Sequence, residues 1–130
     1  MKRVLQPAAW PRPRGYANGV EAGGRQVHVA GMVGWTPDGR FESDDLVAQV
    51  RQALVNVRTV LAEAGAAPEH VVRMTWYVTD RSEYLARGPE IGLAYREIMG
   101  HYDVAMTAVQ VVALMEARAQ VEIEVTAVIP

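Results

Sequence analysis

Cysteine is absent from this chain of 130 residues, and phenylalanine occurs once. The absence of cysteine excludes disulfide bonds, thiolate metal sites and thiol nucleophiles. The longest uncharged run, residues 104–115, is interrupted by Thr107 and Gln110 and is shorter than the roughly 20 residues of a membrane helix. No apolar segment of signal-peptide length follows Lys2 and Arg3. We therefore expect a cytoplasmic protein that does not enter the membrane.

The chain also lacks an excess of positive charge. Its 13 Lys and Arg residues stand against 15 Asp and Glu residues, a formal net charge of −2, so nucleic-acid binding is not expected. Half of the residues are hydrophobic and 22% are charged, which excludes a disordered chain. The length is close to that of one typical domain. The sequence therefore predicts a single domain over residues 1–130.

The first part of the chain combines a proline-rich segment with strand-like runs. Three prolines predict an ordered surface loop over residues 7–15, because proline removes backbone donors from helices and central strands. The segments 16–22 and 26–32 have the composition of strands. Gly23 and Gly24 lie between them and tolerate the backbone conformations of a tight turn. This pattern predicts a β-hairpin.

Apolar residues at three- and four-residue steps predict two amphipathic helices. The first begins at Ser43, a capping hydroxyl, and ends at Gly65. A short helical turn over residues 80–87 precedes the second helix, which begins at Pro89 and runs to about Met99. Each helix has one apolar stripe that should face a core.

Period-two alternation over residues 72–78 predicts a strand, and two final strands are predicted over 107–114 and 121–127. The order of elements favours two helices on the same face of one mixed sheet. Because the segment 108–114 is apolar on both sides, the opposite face would expose apolar side chains unless another subunit covered them. The pattern therefore predicts a homo-oligomer.

The residues by themselves offer few chemical groups. No metal-ligand spacing connects the three histidines, His28, His70 and His101. We therefore expect neither a metal nor a cofactor. Glu122 and Glu124 point to the same face of a strand, where paired carboxylates serve acid–base chemistry, although a polar strand face is the commoner meaning of this pattern. Among the tryptophans, Trp35 beside a glycine-rich strand end is the best candidate for a pocket wall.

Several segments together match one known family: Tyr16–Val20 with Gly23, Val29–Gly31, Gln52–Val57, Val78–Asp80 and Val121–Val125. Through them, nearly the whole chain resembles the RidA/YjgF family, which also carries the name L-PSP endoribonuclease. The resemblance implies a chorismate-mutase-like α+β fold with a mixed β-sheet and two helices packed on one face. It also implies a homotrimer with ligand clefts between subunits. Both implications agree with the two-helix, open-sheet arrangement predicted from the pattern.

The resemblance also implies where a ligand is held. In active family members an arginine in the motif Ala-Arg-Ser-x-Val grips a substrate carboxylate through its planar fork. The matching segment is 105–109, and Met106 stands at the arginine position without a charge or a hydrogen-bond donor. Typical 2-iminoacid deaminase activity is therefore not expected. Arg118 and Arg14, both in loops, are the two residues that could replace the arginine.

The remaining site residues follow from the same resemblance. Glu122 is implied to position the hydrolytic water, and Thr107 with the Gly31 backbone to orient the ligand. Gly92 stands where the family usually has an asparagine. The predicted catalytic residues are thus Glu122 and Thr107. The predicted ligand-binding residues are Tyr16, Gly31, Trp35, Met106 and Arg118.

Three functions are compatible with these residues. The first is binding of a small metabolite with hydrolysis of an enamine, an imine or a related C–N bond, as in the aminomuconate deaminases of the family. The second is a non-catalytic ligand-binding or regulatory trimer, which the apolar Met106 favours. The third is RNA cleavage or inhibition of translation, which the family name suggests and the net charge of −2 opposes.

Overall fold

The computed structural model describes residues 2–100 and 103–130. His101, one of the histidines named above, lies outside the described residues. The strands and helices in chain order are β1 (Lys2–Leu5), β2 (Gly19–Ala22), β3 (Arg25–Val33), α1 (Leu46–Glu63), β4 (Val71–Val78), α2 (Arg81–Ala86), α3 (Gly88–Ile98), β5 (Ala105–Gln110) and β6 (Val121–Ile129). A short 3₁₀ turn, Pro68–His70, leads into β4.

The main sheet has four strands in the order β3-β6-β4-β5. β6 is antiparallel to both of its neighbours, whereas β4 and β5 are parallel. β1 and β2 form a separate antiparallel ribbon. A helical connection joins β3 to β4 and another joins β4 to β5, as parallel strands require. The predicted α+β class with a mixed sheet is confirmed.

The predicted hairpin between β2 and β3 is wrong. Both strands form, but β2 pairs with β1 and β3 pairs with β6. Gly24 has a φ of +144°, and an added Cβ there would lie 2.1 Å from the backbone oxygen of Ile129. Gly24 therefore lets the backbone pass close to the end of β6, which explains its presence without a two-residue hairpin turn.

α1 packs its apolar stripe onto the sheet, and its first residue differs from the prediction. Asp45, not Ser43, is the N-cap: its carboxylate accepts a hydrogen bond from the amide of Ala48 at 3.0 Å. The Ser43 hydroxyl accepts from the Asp45 amide and thus shapes the turn before the helix. Gly65 ends the helix with a φ of +73°, as predicted.

Alternation in β4 is confirmed from Arg73 onward, since Met74, Trp76 and Val78 are buried and the residues between them are not. At its start the prediction is wrong: Val71 is buried and Val72 only partly so, because the register against β6 shifts between Val71 and Arg73. Most buried residues of both long helices, and those of β4 and β6, belong to one core cluster. α3 packs against α1 over this core, and its buried residues are Ile91, Ala94, Tyr95 and Ile98. The two helices therefore cover one face of the sheet.

β5 is shorter than predicted, because it runs from Ala105 to Gln110 instead of 107–114. Its partner β4 ends at Val78, which pairs with Gln110, so no strand remains beside the following residues. Large apolar side chains in and after this strand are exposed: Val109, Val112 and Met115. On the opposite side of the sheet from the helices, β4 and β6 instead carry polar residues, so the prediction of an apolar open face holds for β5 and the segment after it only. No described helix is long and apolar enough to cross a membrane.

Candidate functional site

A cleft of about 1090 Å³ opens between the two C-terminal helices and the edge strand β5. Its lining residues come from the segment before β2, from β4, from α2 and α3, and from β5. They are Arg14, Gly15, Tyr16, Trp76, Tyr84, Leu85, Gly88, Pro89, Ile91, Gly92, Tyr95, Arg96, Met106, Thr107 and Ala108. Two other recesses in the described part of the chain are smaller, at about 450 and 490 Å³.

Backbone pairing places Tyr16 at the cleft. The amide of Ala17 donates to the carbonyl of Val104 at 2.8 Å, and Ala17 forms a parallel bridge with Ala105. The proline-rich segment before β2 is therefore held beside the start of β5, next to Met106. Three predicted site residues, Tyr16, Met106 and Thr107, thus line one cleft together with Arg14.

Aromatic rings form the inner wall of the cleft. The ring of Trp76 lies 6.3 Å from that of Tyr84 in an edge-to-face arrangement and 6.4 Å from that of Tyr95. The Tyr95 hydroxyl donates to the Met74 sulfur at 3.6 Å. Burial raises the pKa of Tyr84 above its ordinary value, so its hydroxyl stays protonated at neutral pH. The wall is largely apolar.

The charge of the lining is one-sided. Arg14 and Arg96 are exposed residues at the cleft, and no Asp or Glu occurs among the lining residues described above. Two arginines in a described lining without Asp or Glu favour an anionic ligand. Arg96 and the aromatic wall were missed by sequence reasoning, because helix spacing assigned Tyr95 to the core and gave Arg96 no role. Trp76 was assigned to the core, and it serves both the core and the cleft.

Glu122 and Gly31 meet on the open face of the sheet, outside the cleft. The register of β3 shifts between Val29 and Met32, which marks a β-bulge at Gly31. A Cβ added to Gly31 would lie 2.0 Å from Oε2 of Glu122, so the absent side chain makes room for this carboxylate. The predicted pair is therefore adjacent, but neither residue lines the cleft within one protomer.

A smaller recess of about 450 Å³ lies on the same open face, among His28, Arg73, Thr75, Glu124 and Thr126. The Tyr77 hydroxyl donates to Glu124 at 2.7 Å. This hydrogen bond to a carboxylate raises the pKa of Tyr77 above its ordinary value. Thr107 lies beside Thr75 in the register of β4 and β5, so the edge strand brings Thr107 near both recesses.

Arg118 and Trp35 lie away from the cleft and from the recess at His28, on either side of Phe41 in the segment before α1. The Arg118 guanidinium is paired with the Asp44 carboxylate at 2.9 Å and donates to the carbonyl of Phe41 at 3.0 Å. The Phe41 ring in turn lies 6.2 Å from that of Trp35. Neither predicted ligand-binding residue lines the cleft, and Arg118 is already engaged by a carboxylate. No group of three or more His, Asp or Glu residues suited to a metal occurs in residues 2–100 and 103–130.

The model of the family described as Endoribonuclease L-PSP matches residues 8–129. The chain belongs to this family, the RidA/YjgF family. One relative, the RutC family protein of Aquifex aeolicus, is 32% identical over 130 residues, which cover 98% of this chain and 99% of the relative. The 2-iminobutanoate/2-iminopropanoate deaminase of Capra hircus is 27% identical, covering 98% of this chain and 90% of the relative.

Solved structures of the RidA/YjgF family share the fold. The crystal structure of the Rid-family protein YyfB from Yersinia pestis has a TM-score of 0.87 and 34% identity to this chain, with 98% of each chain covered. In this chain, Met106 and Glu122 lie apart because strand residues alternate between faces: Met106 lies beside buried Met74, and Glu122 lies beside Tyr77 on the open face.

Proposed function

We propose that this protein is a RidA/YjgF hydrolase that acts on the C–N bond of an enamine or imine, in clefts between the subunits of a homotrimer. The observation that carries the proposal is the cleft that joins Tyr16, Met106 and Thr107 at the edge of the sheet. The name of the Capra hircus relative, a deaminase of 2-imino acids, gives the reaction class. Met106 supplies no carboxylate clamp, so the substrate differs from a simple 2-imino acid.

The proposed reaction needs one water molecule and one carboxylate. Glu122 accepts a proton from water as the water oxygen bonds to the imine carbon, and the nitrogen takes up a proton. The C–N bond of the resulting carbinolamine then breaks, and ammonia and a carbonyl compound leave. Glu122 does not line the cleft of its own protomer. The proposal therefore requires a second copy to bring a Glu122 carboxylate to the cleft, which is why it includes the trimer.

Ammonia release from imino acids, generated in place by an amino-acid oxidase, tests the reaction. We expect a Met106→Arg variant to accelerate release, since it restores a carboxylate clamp, and the unmodified protein to be much slower. Adding Glu122→Gln to that variant should abolish the gain, whereas Glu124→Gln, on the same strand face, should preserve it. Full activity in the Glu122→Gln combination would contradict the assigned role. A sedimentation mass other than that of three chains would contradict the trimer.

A non-catalytic ligand-binding trimer is the second candidate, and the apolar side chain of Met106 in the cleft favours it. Such a protein would be stabilised by a metabolite in a thermal-shift screen and would return the metabolite unchanged after long incubation. Absence of ammonia release from both the unmodified protein and Met106→Arg would favour this candidate over the hydrolase.

A further inference from the structure

One wall of the cleft is formed by α2 and the start of α3, and α2 has no buried residue of its own. Tyr84 of this helix packs its ring edge-to-face against Trp76 at 6.3 Å, whereas Leu85, which also lines the cleft, is 59% exposed. The first amide of the helix, that of Arg81, donates to the Gln110 side chain at the end of β5 at 2.7 Å. A helix of six residues is not stable by itself in water, so contacts outside it must fix its position.

Arg87 lies in the corner between α2 and α3, residues 84–90. Its Nε and Nη2 donate to the two carboxylate oxygens of Glu90, in the first turn of α3, at 2.8 and 3.0 Å. Its Nη1 donates to Oδ1 of Asp45 at 2.9 Å. The Arg87 side chain is 26% exposed, so water competes with these bonds less than at an open surface. One planar guanidinium therefore ties the corner to the N-cap of α1.

The carboxylate of Asp45 connects this corner to a well-packed helix. Its Oδ2 accepts from the Ala48 amide and caps α1, whereas its Oδ1 accepts from Arg87. The apolar stripe of α1 is buried in the core, so the tie joins a weakly packed corner to a strongly packed element. Gly88 and Pro89, which follow Arg87, line the cleft, but Arg87 itself does not. A residue outside the cleft is therefore placed to fix the position of one of its walls.

Resting on the proposed function for the identity of the ligand site, we propose that Arg87 is a positioning residue that holds the corner against α1. Its bonds keep Tyr84 packed on Trp76 and fix the width of the cleft. Without Arg87, α2 would keep only the tie at its first residue, and the corner would loosen. A ligand would then bind less tightly, although the carboxylate of Glu122 on the open face would stay in place.

Hydrogen exchange followed by NMR tests the tie without a substrate. We expect Arg87→Gln to speed exchange of the α2 amides about tenfold, because local opening of this helix costs less once the tie is lost. Arg51→Gln is the matched control. It breaks the exposed ion pair of Arg51 with Glu97, which also joins α1 to α3 but lies outside the cleft lining, and should leave α2 unchanged. Exchange that quickens as much in α1 as in α2 would mean a general loss of stability and would overturn the proposal.

A second variant separates the tie from the helix cap. Asp45→Asn keeps an oxygen for the Ala48 amide and removes the charge that pairs with Arg87. It should therefore loosen α2 as Arg87→Gln does, with little change at the start of α1. Arg87→Lys keeps the charge without the planar fork and should loosen α2 less than Arg87→Gln. An α2 that exchanges at the original rate in both Arg87→Gln and Asp45→Asn would overturn the proposal.

Fluorescence of Trp76 reports on the same corner. Trp76 is the only tryptophan left in a chain with Trp10→Phe and Trp35→Phe, since the sequence has three. Because Trp76 is 1% exposed, acrylamide should quench it weakly while Arg87 is present and about twofold more strongly after Arg87→Gln. Equal quenching in the two chains would overturn the role of Arg87 in keeping Trp76 covered.

Kinetics connect the corner with the ligand. Where Met106→Arg releases ammonia, adding Arg87→Gln should raise KM about fivefold and leave kcat within about twofold, because binding is weakened and the water step is not. An unchanged KM with a loosened α2 would overturn the role in ligand binding. Absence of ammonia release from every variant would remove the hydrolase only, because exchange and quenching judge Arg87 without a substrate.

Discussion

The two faces of the four-stranded sheet are built from alternate residues of the same strands. On the face under α1 and α3, Met74, Trp76 and Ile123 are buried in the core. On the open face, Tyr77 and Glu124 meet in a polar hydrogen bond beside a shallow recess. Along each strand, a side chain that packs in the core is followed by one that faces the polar side of the sheet, because side chains alternate between faces. On the edge strand β5, Met106 lies beside buried Met74, and its neighbour Thr107 lies beside Thr75 on the polar side.

The largest effect should separate two adjacent residues of β6. Ile123→Ala removes a fully buried side chain under the helices and should lower the free energy of unfolding by about 2–5 kcal/mol. Glu124→Ala, on the open face, should change it by less than about 0.5 kcal/mol. Urea unfolding followed by circular dichroism measures both. A loss of similar size for Glu124→Ala would contradict the separation of stability from the polar face.

Two glycines near the end of β3 sharpen the comparison further. An added Cβ at Gly34 would lie 2.7 Å from the backbone of Gln49 in α1, so Gly34→Ala should lower the free energy of unfolding by about 1–3 kcal/mol. At Gly31 the obstacle is the flexible end of Glu122, so Gly31→Ala should cost less than about 1 kcal/mol.

Gly31 should matter more for activity than for stability. Gly31→Ala displaces the Glu122 carboxylate and should reduce ammonia release in the Met106→Arg background more than it reduces stability. Gly23→Ala is the matched control, because an added Cβ there meets no atom within 4 Å beyond its chain neighbours. Undiminished ammonia release in the Gly31→Ala variant would show that Glu122 does not need its present position.

On the helix-covered side, the N-cap of α1 should make a smaller contribution to the free energy of unfolding, and this contribution should be lost in acid. A hydrogen bond from Arg87 and another from the Ala48 amide hold the pKa of Asp45 below its ordinary 3.8. Since the pKa is lower in the folded state, the contribution of Asp45 is complete above about pH 4 and is lost as the pH falls through the folded value. At about pH 6, Asp45→Ala should lower the free energy of unfolding by about 1 kcal/mol, the usual effect of losing an N-cap.

Urea midpoints across the acid range test this expectation. The difference between the unmodified protein and Asp45→Ala should shrink below about pH 4. Arg87→Gln should make this pH-dependent loss smaller, because the folded pKa of Asp45 then lies closer to its ordinary value. A difference that is constant across the range would mean that the Asp45 charge has no part in the cap.

The smallest effect on stability should come from the hydrogen bond between Tyr77 and Glu124 on the open face, and it should be lost at alkaline pH. The hydrogen bond to Glu124 raises the pKa of Tyr77 above 10.0. Because the pKa is higher in the folded state, the contribution is present below about pH 10 and is lost as the pH rises through the folded value. Tyr84 also has a raised pKa, so ultraviolet titration should detect more than one late tyrosine. One late signal should disappear in Tyr77→Phe and titrate earlier in Glu124→Gln. An unchanged titration curve in Glu124→Gln would show that this hydrogen bond does not persist in solution.

The sequence pattern within one helix or strand predicted that element well. The pairing of strands that are distant in the sequence could not be predicted in this way. The alternation of β4 and the stripe of α3 follow from burial on one side, which is local information. The partner of β2 is β1, which lies on the other side of the proline-rich segment. β1 is only four residues long, and its composition does not predict a strand. Ser43 and Asp45 are both good caps, and only the hydrogen bond to Ala48 decides between them.

The site was predicted in parts for a related reason. Tyr16, Met106 and Thr107 are brought to one cleft, and Gly31 is brought to Glu122, but these two groups do not meet within a protomer. Arg118 was a candidate because a long side chain in a loop can reach many places, and the actual partner, Asp44, is 74 residues away in sequence. Trp76 could not be recognised as a cleft residue, because burial in a core and burial at the wall of a cleft give the same strand pattern.

The order of strands has a consequence for the synthesis of the protein. β6 lies between β3 and β4, although both of these leave the ribosome long before it. Until residues 121–129 emerge, β3 and β4 each lack an interior neighbour, and their exposed edges can pair with other chains. The nascent chain is therefore most vulnerable to aggregation late in translation, and a chaperone that shields unpaired strand edges would help it most at that stage.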